Sequence, residues 1–325
     1  MKIIAHSISM LVGAVAFASS GVALSQTAEF PKTVTIIVPF APGASNDTFA
    51  RVLAQKLAPK LGVTVIVDNK PGAGGAIGAQ YVAKAKPDGA TLMLTSSTFT
   101  TNAAVSTNLP YDPVKAFAPV SMLARGPMIL AVGNHTPYKS VAEVIAAARA
   151  KKGDVTYGSA GIGSINQMAA ELLNTTAKVE MTHVPYKGAG NAITDLIGGQ
   201  LQMMFASFPS ISGQVKAGKV RALAVTSPQN SKFAPELPTV AATVPGYEVE
   251  LWWGVFAPAG TPPALVQRLN SEIRAIAESP DMQERFAQEG ADPAATMSPA
   301  QFATYVSAEI DKWRRVAKDR NIKAE

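Results

Sequence analysis

At two places far apart in the chain, a β-branched strand runs into a Gly/Ser loop and straight on into an amphipathic helix. The first is Thr33-Val34-Thr35-Ile36-Ile37-Val38, followed by Pro39-Phe40-Ala41-Pro42-Gly43-Ala44-Ser45-Asn46-Asp47. The second is Val155-Thr156-Tyr157, followed by Gly158-Ser159-Ala160-Gly161-Ile162-Gly163-Ser164. A helix start leaves backbone N–H groups without intrahelical partners, and the helix dipole favours negative charge there. Two such cradles imply two lobes that grip one anion between them, which suits a carboxylate receptor better than a catalyst.

The pattern between and after them alternates strand and helix, which points to an α/β fold with a mostly parallel sheet. A length of 325 residues favours two domains over one. Val34–Val38, Val63–Val67 and Thr91–Leu94 read as strands. Ser96-Ser97-Thr98-Phe99-Thr100-Thr101-Asn102 reads as a polar loop at a strand's carboxyl end, where α/β sheets bind ligands. Val120–Leu123 and Met128–Val132 read as two strands flanking Arg125-Gly126-Pro127, where the chain is expected to cross between lobes. A return near Gly246 divides the chain into lobe 1 (26–125 and 247–325) and lobe 2 (126–246). Ser164 and Gln167 match the S-x-x-Q capping box, and Ser298-Pro299 starts a helix whose stripe Phe302, Tyr305, Val306, Ile310, Trp313 faces a core.

Residues 1–25 have the form of a secretory leader. Lys2 is the positive start, Ile8 to Ala18 the apolar stretch and Ala23-Leu24-Ser25 the small-x-small site before Gln26. The stretch is shorter than the ~20 residues of a spanning helix, so export with cleavage is expected. The chain has 0 cysteines, which excludes disulfides, thiolate metal sites, a cysteine nucleophile and a lipid-attachment thiol. A soluble periplasmic monomer is the expectation. The formal charge of +6 is dispersed, with only Lys151-Lys152 and Arg314-Arg315 adjacent, so no nucleic-acid stripe exists.

Motifs for chemistry are sparse. Gly72-x-Gly74-Gly75-x-x-Gly78 misses the dinucleotide spacing, because Ile77 stands where the third glycine belongs. Neither a G-K-[ST] loop nor G-x-S-x-G occurs, and the only histidines are His6, His135 and His183. No cofactor, metal or catalytic residue is assigned. A rival reading as an exported carboxylic-acid enzyme would need Asp47, Asp195 or His183 as its base. In the cradles, Ser45, Asn46, Ser159 and Ser164 are short donors beside exposed amides, although helix capping explains such residues too. Gly43 and Gly161 would let backbone approach the anion, and Phe40 would form an apolar wall.

Several ordered motifs extend the reading. They include Val38-Pro39-Phe40-Ala41-Pro42-Gly43 with Asp47 and Arg51, and Lys70-Pro71-Gly72-Ala73-Gly74-Gly75. Further along come Leu109-Pro110-Tyr111-Asp112-Pro113, Tyr157-Gly158-Ser159-Ala160-Gly161 and His183-Val184-Pro185-Tyr186-Lys187-Gly188. With these the mature chain resembles the substrate-binding proteins of the tripartite tricarboxylate transporter system, the Bug receptors. That resemblance implies a type II periplasmic-binding fold: two α/β lobes, two crossing segments and a ligand cleft between them. It implies a small organic carboxylate (a di- or tricarboxylate, an acidic amino acid or an aromatic acid) held by main-chain and hydroxyl donors. The residues it implicates are Phe40, Ala44, Ser45 and Asn46 from lobe 1, Ser159, Gly161, Gly163, Ser164 and Ile165 from lobe 2, and Ser97 in addition. The implied partners are large and small inner-membrane transporter subunits; a rival reading makes the protein a sensory partner that presents its acid to a membrane histidine kinase. Ala44, Gln167 and Ala103-Ala104-Val105 depart from the family's usual residues and bear on which acid is held.

Overall fold

The first strand, β1 (Thr33–Val38), is apolar on both faces at its end, as a strand sandwiched between helices must be. The computed structural model describes residues 29–324, so the leader lies outside the described residues. After β1 come α1 (Ser45–Leu61), β2 (Thr64–Asn69), α2 (Ala76–Ala83), β3 (Thr91–Ser96), α3 (Thr98–Val105) and β4 (Phe117–Gly133). Then follow α4 (Val141–Ala150), β5 (Thr156–Ser159), α5 (Ile165–Ala177), β6 (Thr182–Pro185), α6 (Ala189–Ile197), β7 (Met203–Ser207), α7 (Phe208–Lys216) and β8 (Val220–Val225). The chain ends with β9 (Glu250–Pro258), α8 (Pro263–Ala277), α9 (Pro280–Gln288), β10 (Asp292–Pro293) and α10 (Pro299–Asp319).

The strands run β2-β1-β3-β9-β4-β7-β5-β6, with β10 and β8 also on β4. Between these strands, parallel pairing is confined to the two outer sets, β2-β1-β3 and β7-β5-β6. The long strands β4 and β9 lie antiparallel in the middle, so the sheet is mixed and not mostly parallel. Each outer set carries its own helices and apolar core, which makes the fold two α/β lobes.

The expected pair of strands around Arg125-Gly126-Pro127 is instead the single strand β4. Proline lacks the N–H that a central ladder uses. Here Pro127 pairs with Glu250 at the end of the β9 ladder, and from Met128 on the partners are β7 and β8. The proline therefore sits where the ladder changes hands. Thr226 stitches that point, its Oγ1 accepting from Met128 N–H at 2.7 Å.

The expected loop Ser96–Asn102 is also different, because α3 begins at Thr98. Its hydroxyls bond back into the helix, Thr100 Oγ1 to Ser97 O at 2.8 Å and Thr101 Oγ1 to Thr98 O at 3.2 Å. Phe99 buries itself among Tyr111, Phe117 and Phe256. Packing thus overrides the turn propensity of a Ser/Thr-rich run.

Helix α10 has a complete capping box, Ser298 with Gln301. Its first turns place Phe302, Val306 and Ile310 in a core built on β3, β4 and β9. Farther along, Trp313, Val316 and Ala317 enter the other lobe's core beside Met168 and Leu173 of α5. Among the described residues no helix is long and apolar enough to cross a membrane.

Candidate functional site

Because β1 and β3 are parallel neighbours, the loop after β1 and the segment after β3 emerge at the same sheet edge. In the first loop Gly43 has φ +87°, a left-handed conformation that glycine adopts without strain. Its N–H donates to Asp47 Oδ2 at 3.0 Å, which folds the loop over the helix start. Asp47 is fixed further by Arg51 Nε at 3.0 Å and Asn69 Nδ2 at 3.0 Å, and Asn69 also donates to Phe40 O. Burial pushes the Asp47 carboxyl up, but these hydrogen bonds and the Arg51 charge outweigh it and hold it below its usual value.

Ala44 begins α1 without a side-chain cap, and its carbonyl takes the N–H groups of Asp47 and Thr48. Among the described residues nothing accepts from Ser45 N–H or Asn46 N–H. The Asn46 side chain is buried with its Oδ1 unpaired, and Ser97 Oγ, fully buried after β3, is unpaired too. Buried polar atoms without partners carry a desolvation cost, so each is a place where a ligand or water gains.

The glycine run has a packing role here. A Cβ on Gly78 would lie 2.8 Å from Pro39 Cα and 2.9 Å from Lys70 O, and one on Gly75 would lie 3.5 Å from Phe40 Cζ. Backbone therefore comes close enough to hold Pro39 and the Phe40 ring, and Phe40 stays half-buried at the loop.

Across the molecule, β5 ends at Ser159 and leads into the second loop. Gly161 (φ +123°) and Gly163 (φ +77°) make its turns. Ser164 Oγ donates to Gly161 O at 2.6 Å and receives Gln167 N–H at 3.4 Å, so its hydroxyl serves the cap. The box is only half made: Gln167 Oε1 takes Gly163 N–H at 2.7 Å and does not reach the N–H of Ser164. Ile165 turns its side chain into the lobe core. Among the described residues Ile165 N–H and Asn166 N–H have no acceptor. Each helix start thus offers two free amides, Ser45 and Asn46 on α1, Ile165 and Asn166 on α5.

Two groups beside these loops carry no local sequence signal for that placement. Glu289, after α9, accepts Ser45 Oγ–H at 2.7 Å, and burial raises its carboxyl while the Ser45 bond opposes this. His183 lies one strand over, with Nε2 2.6 Å from Ser159 Oγ and Nδ1 3.2 Å from Gln167 Nε2. The other sequence candidates for a base are occupied, Asp47 as above and Asp195 by Tyr186 O–H at 2.7 Å. Among the described residues no cluster of three or more His, Cys, Asp or Glu could hold a metal ion.

The lobes meet at the second loop. A Cβ on Gly163 would stand 2.6 Å from Val105 Cγ2 of α3. Ile162, 56% exposed, lines a cavity of about 310 Å³ together with Gly74, Ile77, Asn102 and Ser106 of the first lobe. Neither Ser45 nor Ser159 lines that cavity.

Residues 49–322 match the family model described as "Tripartite tricarboxylate transporter family receptor". The chain is 37% identical over 306 residues to a UPF0065 protein of Pseudomonas sp. (strain P51), covering 93% of this chain and 91% of that one. Among solved structures, an R. palustris protein with adipate superposes with a TM-score of 0.76 at 37% identity, covering 91% of this chain and 99% of that one. The MatC protein of Rhodopseudomonas palustris with bound malate gives 0.74 at 33% identity, covering 88% and 99%.

Proposed function

The chain belongs to the tripartite tricarboxylate transporter receptor family, and from that premise we propose that it is a periplasmic receptor for a small organic carboxylate. The leader 1–25 is removed on export, and the mature protein passes its acid to the large and small subunits of an inner-membrane transporter. The lobes divide at residues 26–125 with 247–325 and 126–246, with the last turns of α10 shared between them.

One observation carries the reading: two helix starts, one per lobe, each present a pair of unbonded amide N–H groups, and neither loop before them holds a lysine or arginine. A carboxylate accepts from such amides and sits at the positive end of the helix dipole. Phe40, Gly43, Ala44, Ser45, Asn46 and Ser97 form the lobe 1 half. Ser159, Gly161, Gly163, Ser164 and Ile165 form the other, Ile165 contributing its backbone amide because its side chain is in the core, and Ser164 capping the helix that presents it. Each charge-assisted hydrogen bond is worth about 1.5–3 kcal/mol. A few of them reach about −8 kcal/mol, a micromolar affinity that still permits release. Closure follows because the acid gains contacts in the closed state that the open one lacks. That two relatives hold adipate and malate supports the class of ligand.

Calorimetry on protein freed of co-purified ligand, against dicarboxylates, tricarboxylates, acidic amino acids and aromatic acids, tests this. Saturable binding of at least one acid is expected. Silence across the whole panel sinks the proposal.

A further inference from the structure

The pair Ser159–His183 has the spacing of an activated nucleophile, yet its third member reverses the usual roles. In a serine hydrolase the imidazole Nδ1–H donates to a carboxylate, and bare Nε2 takes the serine proton. Here Gly163 N–H, which can only donate, fixes Gln167 Oε1 on its side at 2.7 Å. That leaves the Gln167 Nε2 amino group facing His183 Nδ1 at 3.2 Å, as a donor. Nδ1 must therefore accept, which puts the proton of the neutral ring on Nε2, 2.6 Å from Ser159 Oγ.

Ser159 Oγ then accepts from His183 and also from Gly161 N–H at 3.1 Å, which uses both lone pairs. Its own hydrogen is turned toward Gly161 O at 3.1 Å. That carbonyl already receives Ser164 Oγ–H at 2.6 Å and Ser164 N–H at 3.2 Å. Measured against the usual spacing of its donor type, the Ser159 O–H contact is the most stretched of the three, and its rotatable hydrogen is the one free to leave for another oxygen.

We propose that His183 is a positioning residue, held by Gln167 in the Nε2–H tautomer, which makes the fully buried Ser159 an obligate hydrogen-bond donor to an oxygen of the bound acid. This rests on the carboxylate reading of the site. The surroundings keep the imidazole neutral. The Tyr157 ring of β5 stacks on it at 5.0 Å, and burial lowers its pKa, with Glu171 of α5 opposing. Glu171 itself is taken up by Tyr157 O–H at 2.6 Å, Asn174 Nδ2 at 3.0 Å and Arg320 Nε of α10 at 2.7 Å. A proton on Nδ1 would face the Gln167 amino group, and turning that amide to receive it would strip Gly163 N–H of its acceptor.

Long-range ¹⁵N–¹H spectra of the full chain read the tautomer directly, with the His183 signals assigned by their loss in His183→Gln. The neutral Nε2–H form is expected throughout about pH 7.5–8.5, above the ordinary imidazole value that burial lowers here. An Nδ1–H ring or an imidazolium in that window overturns the proposal. This arm needs no ligand, so it stands apart from failure of the carboxylate reading, which would show as no binding of the malate and adipate probes to the wild type.

With a probe that binds, Gln167→Glu supplies the discriminating result. Its carboxylate accepts from both Gly163 N–H and Nδ1–H, so the neutral ring turns a bare Nε2 on Ser159 and captures the hydroxyl. Binding to Gln167→Glu should weaken about tenfold as pH rises and the imidazolium deprotonates, while the wild type stays level. His183→Gln, which keeps an N–H donor, should bind within about threefold of wild type, and His183→Phe should lose about tenfold. A level profile for Gln167→Glu, or unimpaired His183→Phe, overturns it.

Discussion

Gly163 is where the second loop touches the first lobe, and its replacement gives a measurable collision. A Cβ there would lie 2.6 Å from Val105 Cγ2, and the backbone is at φ +77°. Alanine in the left-handed region costs about 1–2 kcal/mol. Val105 is β-branched, stiff at χ1 and 2% exposed, so the clash adds an overpacking cost of about 1–3 kcal/mol. Gly163→Ala should therefore lose about 2–5 kcal/mol of stability. Val105→Ala removes two methyl groups from the core, a transfer loss of about 1.6 kcal/mol plus a cavity term. In the double variant the new Cβ moves into space that Val105 has vacated, and only the conformational cost and part of the cavity cost remain. The pair should be less destabilised than the sum by about 1–3 kcal/mol. Urea unfolding of the wild type, both singles and the double closes the cycle. Additivity within about 0.5 kcal/mol would falsify the claim that these lobes touch here.

Three other outcomes follow from the same geometry. The Asp47 carboxyl is held below its usual value, so its contribution is present above about pH 4 and is lost as pH falls through the folded-state pKa; Asp47→Asn should abolish that part of the acid dependence of Tm. Glu171→Ala leaves Tyr157 O–H, Arg320 and Asn174 without their shared acceptor and should cost about 3–5 kcal/mol in denaturant titrations, more than Arg320→Met. Glu289→Gln removes a negative charge bonded to Ser45 and should tighten carboxylate binding several-fold at low salt, about 1 kcal/mol, with the gain shrinking as salt screens it; an unchanged Kd would place Glu289 away from the ligand.

The fold was largely legible because strand-loop-helix units announce themselves through β-branched runs, glycine turns and helical apolar spacing. The two-lobe α/β fold and the family both emerged from that pattern together with the resemblance. What local pattern misjudged was set by distant partners. Pro127 looked like a break because proline usually ends a ladder, but the change from β9 to β7 and β8 happens at that residue. Ser97-Thr98-Phe99-Thr100 looked like a loop because hydroxyl residues favour turns, until the aromatic packing of Phe99 made a helix worthwhile. In the candidate site, the loops could be read but their companions could not. Glu289 reaches Ser45 from 244 positions away, and Ser159 meets His183 only because β5 and β6 are parallel neighbours. Gln167 read as a capping partner, yet its oxygen serves Gly163, a choice made by loop geometry.

The way α10 crosses from one core to the other also bears on how the chain can be made. Trp313, Val316 and Ala317 plug a core whose other walls, Met168, Leu173 and Phe205, are synthesised long before them. Without those three side chains, the apolar walls they cover would face water. The second core is thus closed only when α10 is in place, which ties its folding to a segment far along the chain from the rest of its walls.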